Sequence, residues 1–440
     1  MSDELGISII AEFDRELVWE RGRSVRYLEI DVAAPFVKES DMREKPPLNI
    51  ALVIDASGSM AGAPLECAKK AAAGVVNALS PSSRISLVSF STDVVTHFEG
   101  VSADEKQQKM ALQAINQLAP RNHTNLGAGW MKGAECLAKI MEEHPNMHNH
   151  VILLSDGHAN FGVIDPDILG HHAEQLRTRG IATSTVGIGD QYSSEQMQAL
   201  ADNGGGMLHD AQFPHEIIEV VLGELHTVQD TLFEDISVSL KFPSSVKVEN
   251  ISAFPTVMTS SSALAHLGML APQRNRNAIF RLTMPEGRAG DVMHFDMNCS
   301  WIRTGNPERV QGKQLTKSLS FVNENRNLQQ PRKEDLSIRV AKCWQAGIVR
   351  KCVALNKRFD LKELARYLDH ELKYFTRYCQ GLHGTEYLVS ELQGMRERAN
   401  RRWDERSLKH MDHSSYMTQQ SHQDYRSLQR GSWLDSLGDS

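Results

Sequence analysis

The chain has 440 residues and a formal net charge of −7, with 41% hydrophobic and 23% charged residues. This length predicts two or three domains, and the composition excludes wholesale disorder, while the acidity provides no basic surface for general nucleic-acid binding. The six cysteines form no C-x-x-C pair, a pattern that disfavours a zinc ribbon or a disulfide framework and favours a reducing compartment.

The first residues, MSDELGISII, lack the basic start and the apolar stretch of a signal peptide. No later apolar run reaches the ~18–20 residues that a membrane span requires. We therefore expect a cytoplasmic protein that does not contact a membrane.

Residues 1–47 form a β-rich segment at the start of the chain. Two stretches in it, at 6–13 and 25–32, show the period-two alternation that is typical of half-buried strands. The charged segment 39–48 contains two prolines and is expected to be a linker.

Residues 48–228 combine short apolar runs with helical patterns. Unbroken apolar runs are typical of strands buried on both faces, and their alternation with helices predicts βαβ units and a parallel sheet. The strands are predicted at 50–54, 85–90, 151–154 and 181–186, and helices at 104–118, 127–143, 166–179, 194–202, 214–227 and from Pro64 onward.

Residues 229–322 return to a β pattern, and residues 323–440 form a helical C-terminal region with a polar end that we expect to be disordered or a frayed helix. Because a β-rich segment lies on each side of the α/β unit, we expect the two segments to form one β-sandwich. The predicted fold class is α/β: a Rossmann-like, doubly wound domain over 48–228 is inserted between the β-rich segments 1–47 and 229–322.

Oxygen-bearing side chains directly follow two of the predicted strands, and another lies in a loop. Asp55, Ser57 and Ser59 lie in V-I-D-A-S-G-S-M after the first buried strand, and Asp156 follows the apolar strand V-I-L-L. Thr124 lies in a loop that leads into a helix. Because successive parallel strands end at the same edge of a sheet, we expect these side chains to converge there. Oxygen ligands of this kind suit a hard cation such as Mg²⁺ or Mn²⁺.

The combination of D-A-S-G-S at 55–59 with Thr124 and S-D-G at 155–157 resembles the metal-ion-dependent adhesion site of a von Willebrand factor type A domain. The resemblance spans about residues 49–228 and is closest to the intracellular bacterial type. It implies that Ser57, Ser59 and Thr124 contact the metal directly and that the aspartates act through water. An Asp or Glu of a protein partner then fills the open position.

This resemblance implies metal-dependent protein–protein binding by an intracellular adaptor or scaffold, with an AAA+ ATPase, a protein kinase or a phosphatase as partner. We expect no enzymatic activity, because the sequence places no general base beside the site. The partner surface is expected to be rimmed by neighbours of the coordinating loops, namely Met60, His123, Asn125 and His158.

Several alternatives stay open at this stage. The turn could be hydrogen-bonded without a metal, or the chain could be a non-catalytic or regulatory subunit of a chelatase-like or kinase-associated machine. An RNA-binding scaffold is disfavoured by the net charge of −7. A serine hydrolase requires G-x-S-x-G, but Asp55 stands where that motif has glycine. The histidines at 144, 148 and 150 are expected in a polar loop, because Pro145 prevents helical ligand spacing.

Overall fold

The computed structural model describes residues 6–35, 47–121, 123–157, 161–189, 192–211, 213–304 and 306–420. The strands within these ranges are β1 (Ser8–Phe13), β2 (Leu17–Trp19), β3 (Val25–Ala33), β4 (Leu48–Asp55), β5 (Arg84–Phe90), β6 (Val94–Ser102), β7 (His148–Ser155), β8 (Ile181–Ile188), β9 (Gly205–Ala211), β10 (Phe233–Lys241), β11 (Lys247–Asn250), β12 (Thr256–Met258), β13 (Ser262–Leu270), β14 (Asn275–Thr283), β15 (Val292–Arg303), β16 (Asn306–Gln311) and β17 (Leu315–Val322).

The helices within the same ranges are α1 (Ala63–Ala78), α2 (Glu105–Asn116), α3 (Leu126–Glu143), α4 (Pro166–Thr178), α5 (Ser194–Asn203), α6 (Glu216–Asp230), α7 (Glu324–Gln329), α8 (Glu334–Lys357), α9 (Leu361–Cys379), α10 (Glu386–Glu397) and α11 (Glu405–Gln419). A short 3-10 helix, Gly58–Met60, connects β4 to α1. None of the described helices combines the length and the apolar character that crossing a bilayer would require.

The β-rich segments form a sandwich in which strands from both sides of the α/β insertion pair. One sheet has the order β1-β3-β14-β11, and the antiparallel register of β3 with β14 sets Leu28 opposite Phe280. The other sheet has the order β12-β13-β10-β15-β17-β2, with β16 beside β15. The rings of Phe13 and Phe295 meet edge to face in the core between the sheets, 5.4 Å apart. Since β2 and β3 precede the insertion and pair with β17 and β14, which follow it, each β-rich segment needs the other to complete its sheets.

The α/β domain is a six-stranded sheet with the order β6-β5-β4-β7-β8-β9, in which only the edge strand β6 is antiparallel to its neighbour. Every residue of β4 is buried, because α1, α2 and α6 cover one face of the sheet and α3, α4 and α5 cover the other. This arrangement confirms the predicted Rossmann-like, doubly wound fold. The expected polar loop at His148 and His150 is wrong: both histidines lie in β7 and are buried.

The C-terminal helices pack around a core of their own and also contact both other parts of the chain. The guanidinium of Arg339 on α8 donates from Nε to Glu29 of β3 at 2.7 Å. On α11, Tyr416 is buried in the core of the α/β domain, and its hydroxyl donates to Asp202 of α5. The contacts of Tyr416 hold the end of α11 against α5.

The polar end of the chain, expected to be frayed or disordered, is therefore helical as far as Gln419. Its helix is stable because one face carries Leu408, Met411 and Tyr416, which are buried against neighbouring helices. The remaining part of that prediction, residues 421–440, lies outside the described residues.

Candidate functional site

Asp55 is the last residue of β4, at the carboxyl edge of the parallel sheet, and its side chain is fully buried. Its Oδ1 accepts a hydrogen bond from the backbone N–H of Ser57 at 2.8 Å. Its Oδ2 accepts from the hydroxyl of Ser155, at the end of β7, at 2.6 Å. Both carboxylate oxygens are thus held in place, one by the turn that follows β4 and the other by the neighbouring strand.

Three further oxygens extend this arrangement from the interior to the surface. The hydroxyl oxygens of Ser57 and Ser59 lie 3.0 Å apart, and Ser59 Oγ donates to Asp156 Oδ1 at 2.8 Å. Ser57 and Asp156 are only 3% and 8% exposed, whereas Ser59 is exposed. The loops after β4 and β7 are therefore joined through their side-chain oxygens.

Thr124 comes from a third loop, immediately before α3, and is also buried. A methyl group placed on the Cα of Gly157 would lie 3.4 Å from Thr124 Oγ1 and 3.9 Å from both Asp55 Oδ2 and Ser59 Oγ. Oxygens from the loops after β4 and before α3 thus lie within 4 Å of one point beside Gly157, and Asp156 of the loop after β7 joins them through its hydrogen bond with Ser59. The structure brings together all five residues that the sequence selected as metal ligands: Asp55, Ser57, Ser59, Thr124 and Asp156.

The two carboxyl groups of the site are partly desolvated. Burial raises the pKa of Asp55, although hydrogen bonds from Ser155 and Ser57 oppose the rise. Burial also raises the pKa of Asp156 to about 6, against the hydrogen bond from Ser59 and with a further rise from the charge of Asp55. Two carboxylates that repel each other in a desolvated site are stabilised by a positive charge between them.

The oxygen set fits a small, hard cation. Octahedral Mg²⁺ with bonds of 2.0–2.1 Å requires adjacent ligand oxygens about 2.9 Å apart, and the hydroxyl oxygens of Ser57 and Ser59 are 3.0 Å apart. Within the part of the chain that the structure describes, no group of three or more His, Cys, Asp and Glu side chains could hold a metal. The candidate site thus depends on hydroxyl oxygens together with two carboxylates, a ligand type that suits cations such as Mg²⁺ and Mn²⁺.

The residues expected to rim the site have different positions. His123 is exposed directly before Thr124, and Asn125 is half-buried and caps α3 by accepting from the backbone N–H of Ala128 at 3.3 Å. The rim position expected for Met60 is wrong, because its side chain is completely buried in the core with α1. His158 lies outside the described residues.

Two features of the site were missed by the sequence reasoning. Ser155 holds Asp55, and its signal was its position in S-D-G at the end of the strand beside β4, where Leu154 lies opposite Ile54. The second feature is an exposed apolar stretch that includes Phe161 and Ile164, 56% and 49% exposed, after the Asp156 loop. Its signal was the cluster of three large apolar residues, Phe161, Val163 and Ile164, directly before the start of α4.

A sequence profile of the von Willebrand factor type A domain matches residues 49–218. Residues 49–218 therefore have the fold of a von Willebrand factor type A domain. An uncharacterized protein of Synechocystis sp. is 31% identical over 199 residues, which cover 44% of each chain. Human inter-alpha-trypsin inhibitor heavy chain H3 is 30% identical over 164 residues, which cover 36% of this chain and 18% of that protein. The chain thus matches less than half the length of these relatives.

Solved structures resemble the whole chain, beyond the von Willebrand factor type A domain. A von Willebrand factor type A protein from Catenulispora acidiphila has a TM-score of 0.70 at 15% identity and covers 94% of this chain and 98% of its own. The ArnB paralog VWA2 from Sulfolobus acidocaldarius has a TM-score of 0.57 at 14% identity, with coverages of 95% and 99%. At these identities the similarity shows the fold alone. Domains of this family commonly mediate protein–protein interactions and are generally non-catalytic.

Proposed function

We propose that the chain is a non-catalytic adaptor or scaffold that binds a protein partner through a divalent cation, Mg²⁺ or Mn²⁺. The residues that would hold the cation are Asp55, Ser57, Ser59, Thr124 and Asp156. The observation that supports this function is that oxygens of Asp55, Ser59 and Thr124 surround one position beside Gly157 at the carboxyl edge of the sheet, with Asp156 bonded to Ser59.

The chemistry of the site favours an acidic partner residue. In the proposed arrangement Ser57, Ser59 and Thr124 contact the cation directly, and the two aspartates act through water. When bound, the cation supplies positive charge that three neutral hydroxyls leave largely uncompensated. An Asp or Glu of the partner therefore gains a strong charge-assisted contact, which increases as the surrounding surfaces exclude water.

The surroundings of the hydroxyls support a binding role over catalysis. Among the described residues, Ser57 and Ser59 hydrogen-bond each other and Asp156, and no histidine accepts a proton from either of them. A serine nucleophile requires such a base. We further propose a cytoplasmic location, in keeping with six cysteines that form no disulfide. An AAA+ ATPase, protein kinase or phosphatase as partner follows from the resemblance alone.

Metal binding is tested by calorimetric titration of the full chain with Mn²⁺ and with Mg²⁺. Wild type should bind one cation, and Asp55→Ala should bind none. The matched control is Asp369→Ala, which removes an exposed carboxylate on α9 that pairs with Arg396 of α10. Equal binding by wild type and Asp55→Ala would disprove the metal site.

Partner binding is tested by an affinity pull-down with the immobilised chain in Mg²⁺ and in EDTA, followed by mass spectrometry of the bound proteins. A partner that is retained in Mg²⁺, released by EDTA and lost with Asp55→Ala is then prepared pure and titrated. Substitution of its acidic residue by the corresponding amide should abolish the EDTA-sensitive part of its affinity. A partner whose affinity changes neither with EDTA nor with substitution of its acidic residue would contradict the proposed function.

A further inference from the structure

Large apolar side chains are exposed beside the candidate metal site. We call this surface the apolar rim, and it consists of Phe161, Val163, Ile164 and Ile168, with exposed fractions of 56%, 39%, 49% and 49%. Isolated exposed apolar residues are common, but four within eight positions of one loop and helix start form a patch of the kind that other segments cover.

The apolar rim is continuous with the loop that carries Thr124. A methyl group placed on Gly127, in the first turn of α3, would lie 3.1 Å from the carbonyl oxygen of Val163 and 3.5 Å from its Cβ. The carbonyl of Ile164 accepts from the Gln196 side chain at 2.8 Å, which fixes the rim to the start of α5. The rim and the three converging loops thus form one surface with a cation site next to apolar side chains.

We propose that residues 431–440 of the same chain, G-S-W-L-D-S-L-G-D-S, are an intramolecular ligand of this surface, with Asp435 as the acidic ligand of the cation. Trp433 and Leu434 would cover the apolar rim. This inference rests on the proposed function, since it names an occupant for the same metal site. Bound in this way, the segment competes with the protein partner and makes partner binding autoinhibited.

The chemistry of the segment matches that of the surface. Asp435 is directly preceded by Trp433 and Leu434, so one short stretch offers a carboxylate for the cation and large side chains for the rim. Burial of an aromatic side chain removes about 150–250 Å² from water and contributes more than most other contacts of similar size. Asp424 precedes Tyr425 and Arg426, so it lacks the two apolar neighbours on its amino side.

The attachment point of the segment is close enough for it to reach the site. Gln420 donates from Nε2 to Asp202 Oδ1 at 3.2 Å, near the end of α5. Gln196 lies in the first turn of the same helix, about 9 Å along its axis from Asp202, and contacts Ile164 of the rim. Residues 421–434 can extend over at most about 50 Å.

A linker whose average extension matches the span gives a high effective concentration. For a random-coil tether of fourteen residues in general, the mean end-to-end distance is about 20 Å. It is of the same order as the path of about 9 Å along α5 between Asp202 and Gln196 together with the side-chain contacts that join these residues to Gln420 and to Ile164 of the rim. The contact within one chain is therefore favoured over the same contact between two chains at ordinary protein concentrations.

The first experiment measures Mn²⁺ affinity by calorimetry on full chains. Asp435→Asn should bind Mn²⁺ about tenfold more weakly than wild type, because the intramolecular carboxylate is lost. Asp424→Asn, the matched control in the same segment, should bind like wild type. Equal affinity for all three chains would overturn the inference and leave the metal site intact, whereas no Mn²⁺ binding by wild type would disprove the proposed function itself.

The second experiment uses a fluorescein-labelled peptide of residues 429–440 as the probe and measures its anisotropy with full chains in Mg²⁺. The peptide should bind the triple variant Trp433→Ser/Leu434→Ser/Asp435→Asn at least tenfold more tightly than wild type, whose own segment competes. EDTA should abolish binding, and adding Phe161→Ser/Ile164→Ser to the triple variant should weaken it at least tenfold.

Two results, one from the peptide experiment and one from sedimentation of the wild-type chain, would overturn the inference. One is the absence of peptide binding to the triple variant under conditions where that chain binds Mn²⁺. The other is a wild-type chain that dimerises in Mg²⁺ but not in EDTA during sedimentation, since the segment would then bind a second copy. A monomer in both conditions supports the intramolecular contact.

Discussion

The hydroxyl of Ser155 donates a hydrogen bond to Oδ2 of Asp55 at 2.6 Å, across the parallel strands β7 and β4. Asp55 uses its other oxygen, Oδ1, to accept from the backbone of Ser57. With both oxygens held, the carboxylate has one orientation before any ligand binds. Ser155 is therefore a positioning residue for the candidate metal site and not a ligand.

We expect Ser155→Ala to lower Mn²⁺ affinity about 10- to 100-fold, the usual cost of removing a group that orients a metal ligand. The measurement is calorimetric titration at pH 7. Ser86→Ala is the matched control, because Ser86 is also a buried strand serine but bonds the backbone of Gly100 instead. A Ser155→Ala chain with wild-type affinity would show that Asp55 needs no orientation by β7.

Thr124→Ala should weaken binding of the EDTA-sensitive partner by about 2–5 kcal/mol, the range for breaking one side of a desolvated charged contact. Thr124→Ser retains the hydroxyl and should restore most of the affinity. In EDTA the thermal stabilities of both variants should equal that of wild type within about 1 kcal/mol, since the metal stabilises the fold only by mass action. Partner affinity that is the same for wild type and Thr124→Ala in Mg²⁺ would place the interface elsewhere.

The sequence predicted the elements and residues whose signal is local. The strands β4, β5, β7 and β8 were predicted because they are unbroken apolar runs, and the convergence of their loops followed from parallel topology. The strand β6 was missed because its residues are half-exposed and it pairs only at the sheet edge.

Side-chain direction was harder to predict than position. Met60 follows Ser59 directly, but a 3-10 helix has about three residues per turn, so neighbouring side chains point about 120° apart. As a result Ser59 faces the site while Met60 enters the core. The buried histidines of β7 were assigned to a loop because the segment H-N-H is hydrophilic. Such residues can still belong to a buried strand when they have hydrogen-bond partners in the interior, as His150 has in Ser184.

One buried polar network should make stability depend on pH. Glu224 of α6 is buried, its Oε2 accepts from His209 at 2.7 Å, and its Oε1 accepts from the hydroxyl of Ser184. Burial alone would raise the pKa of Glu224, but the charge and hydrogen bond of His209, with lesser contributions from His150 and Ser184, lower it to about 2. Burial lowers the pKa of His150 to about 3.

Both shifts act on stability in the same direction. In the unfolded chain His150 becomes protonated below about pH 6.5, but in the folded chain it stays unprotonated until about pH 3. Glu224 becomes protonated below about pH 4.5 in the unfolded chain and only near pH 2 in the folded chain. The free energy of unfolding should therefore fall as the pH is lowered from 6.5 towards 2. We expect Glu224→Gln to cost about 3–5 kcal/mol at pH 7 and to flatten the profile between pH 4.5 and 2.

The measurement for Glu224 is urea unfolding at a series of pH values. Glu219→Gln is the control, since Glu219 lies on the same helix but is exposed, and it should leave the profile unchanged. A Glu224→Gln chain that is as stable as wild type at pH 7 would show that the network contributes no net stability.

The final prediction concerns the division of the chain. We expect residues 49–228 to fold when expressed alone, because the six strands of the α/β sheet lie within them except for Leu48, the first residue of β4. They should be less stable than in the full chain, since Tyr416 and Met417 of α11 complete one face of their core. Residues 229–322 should not fold alone, because β14 then lacks β3 and leaves Phe280 without Leu28 opposite it.

The control for the isolated segment restores its missing strands. A chain in which a short Gly-Ser linker replaces residues 48–228 keeps β1, β2 and β3 beside β14 and β17, so it should fold where the isolated 229–322 segment does not. Amide chemical-shift dispersion in NMR spectra distinguishes the two states. In the sheet, β3 lies between β1 and β14. A well-dispersed spectrum from 229–322 alone would therefore mean that β14 needs no partner from the first segment. Residues 229–322 would then be a stable β-domain to which residues 1–47 only attach.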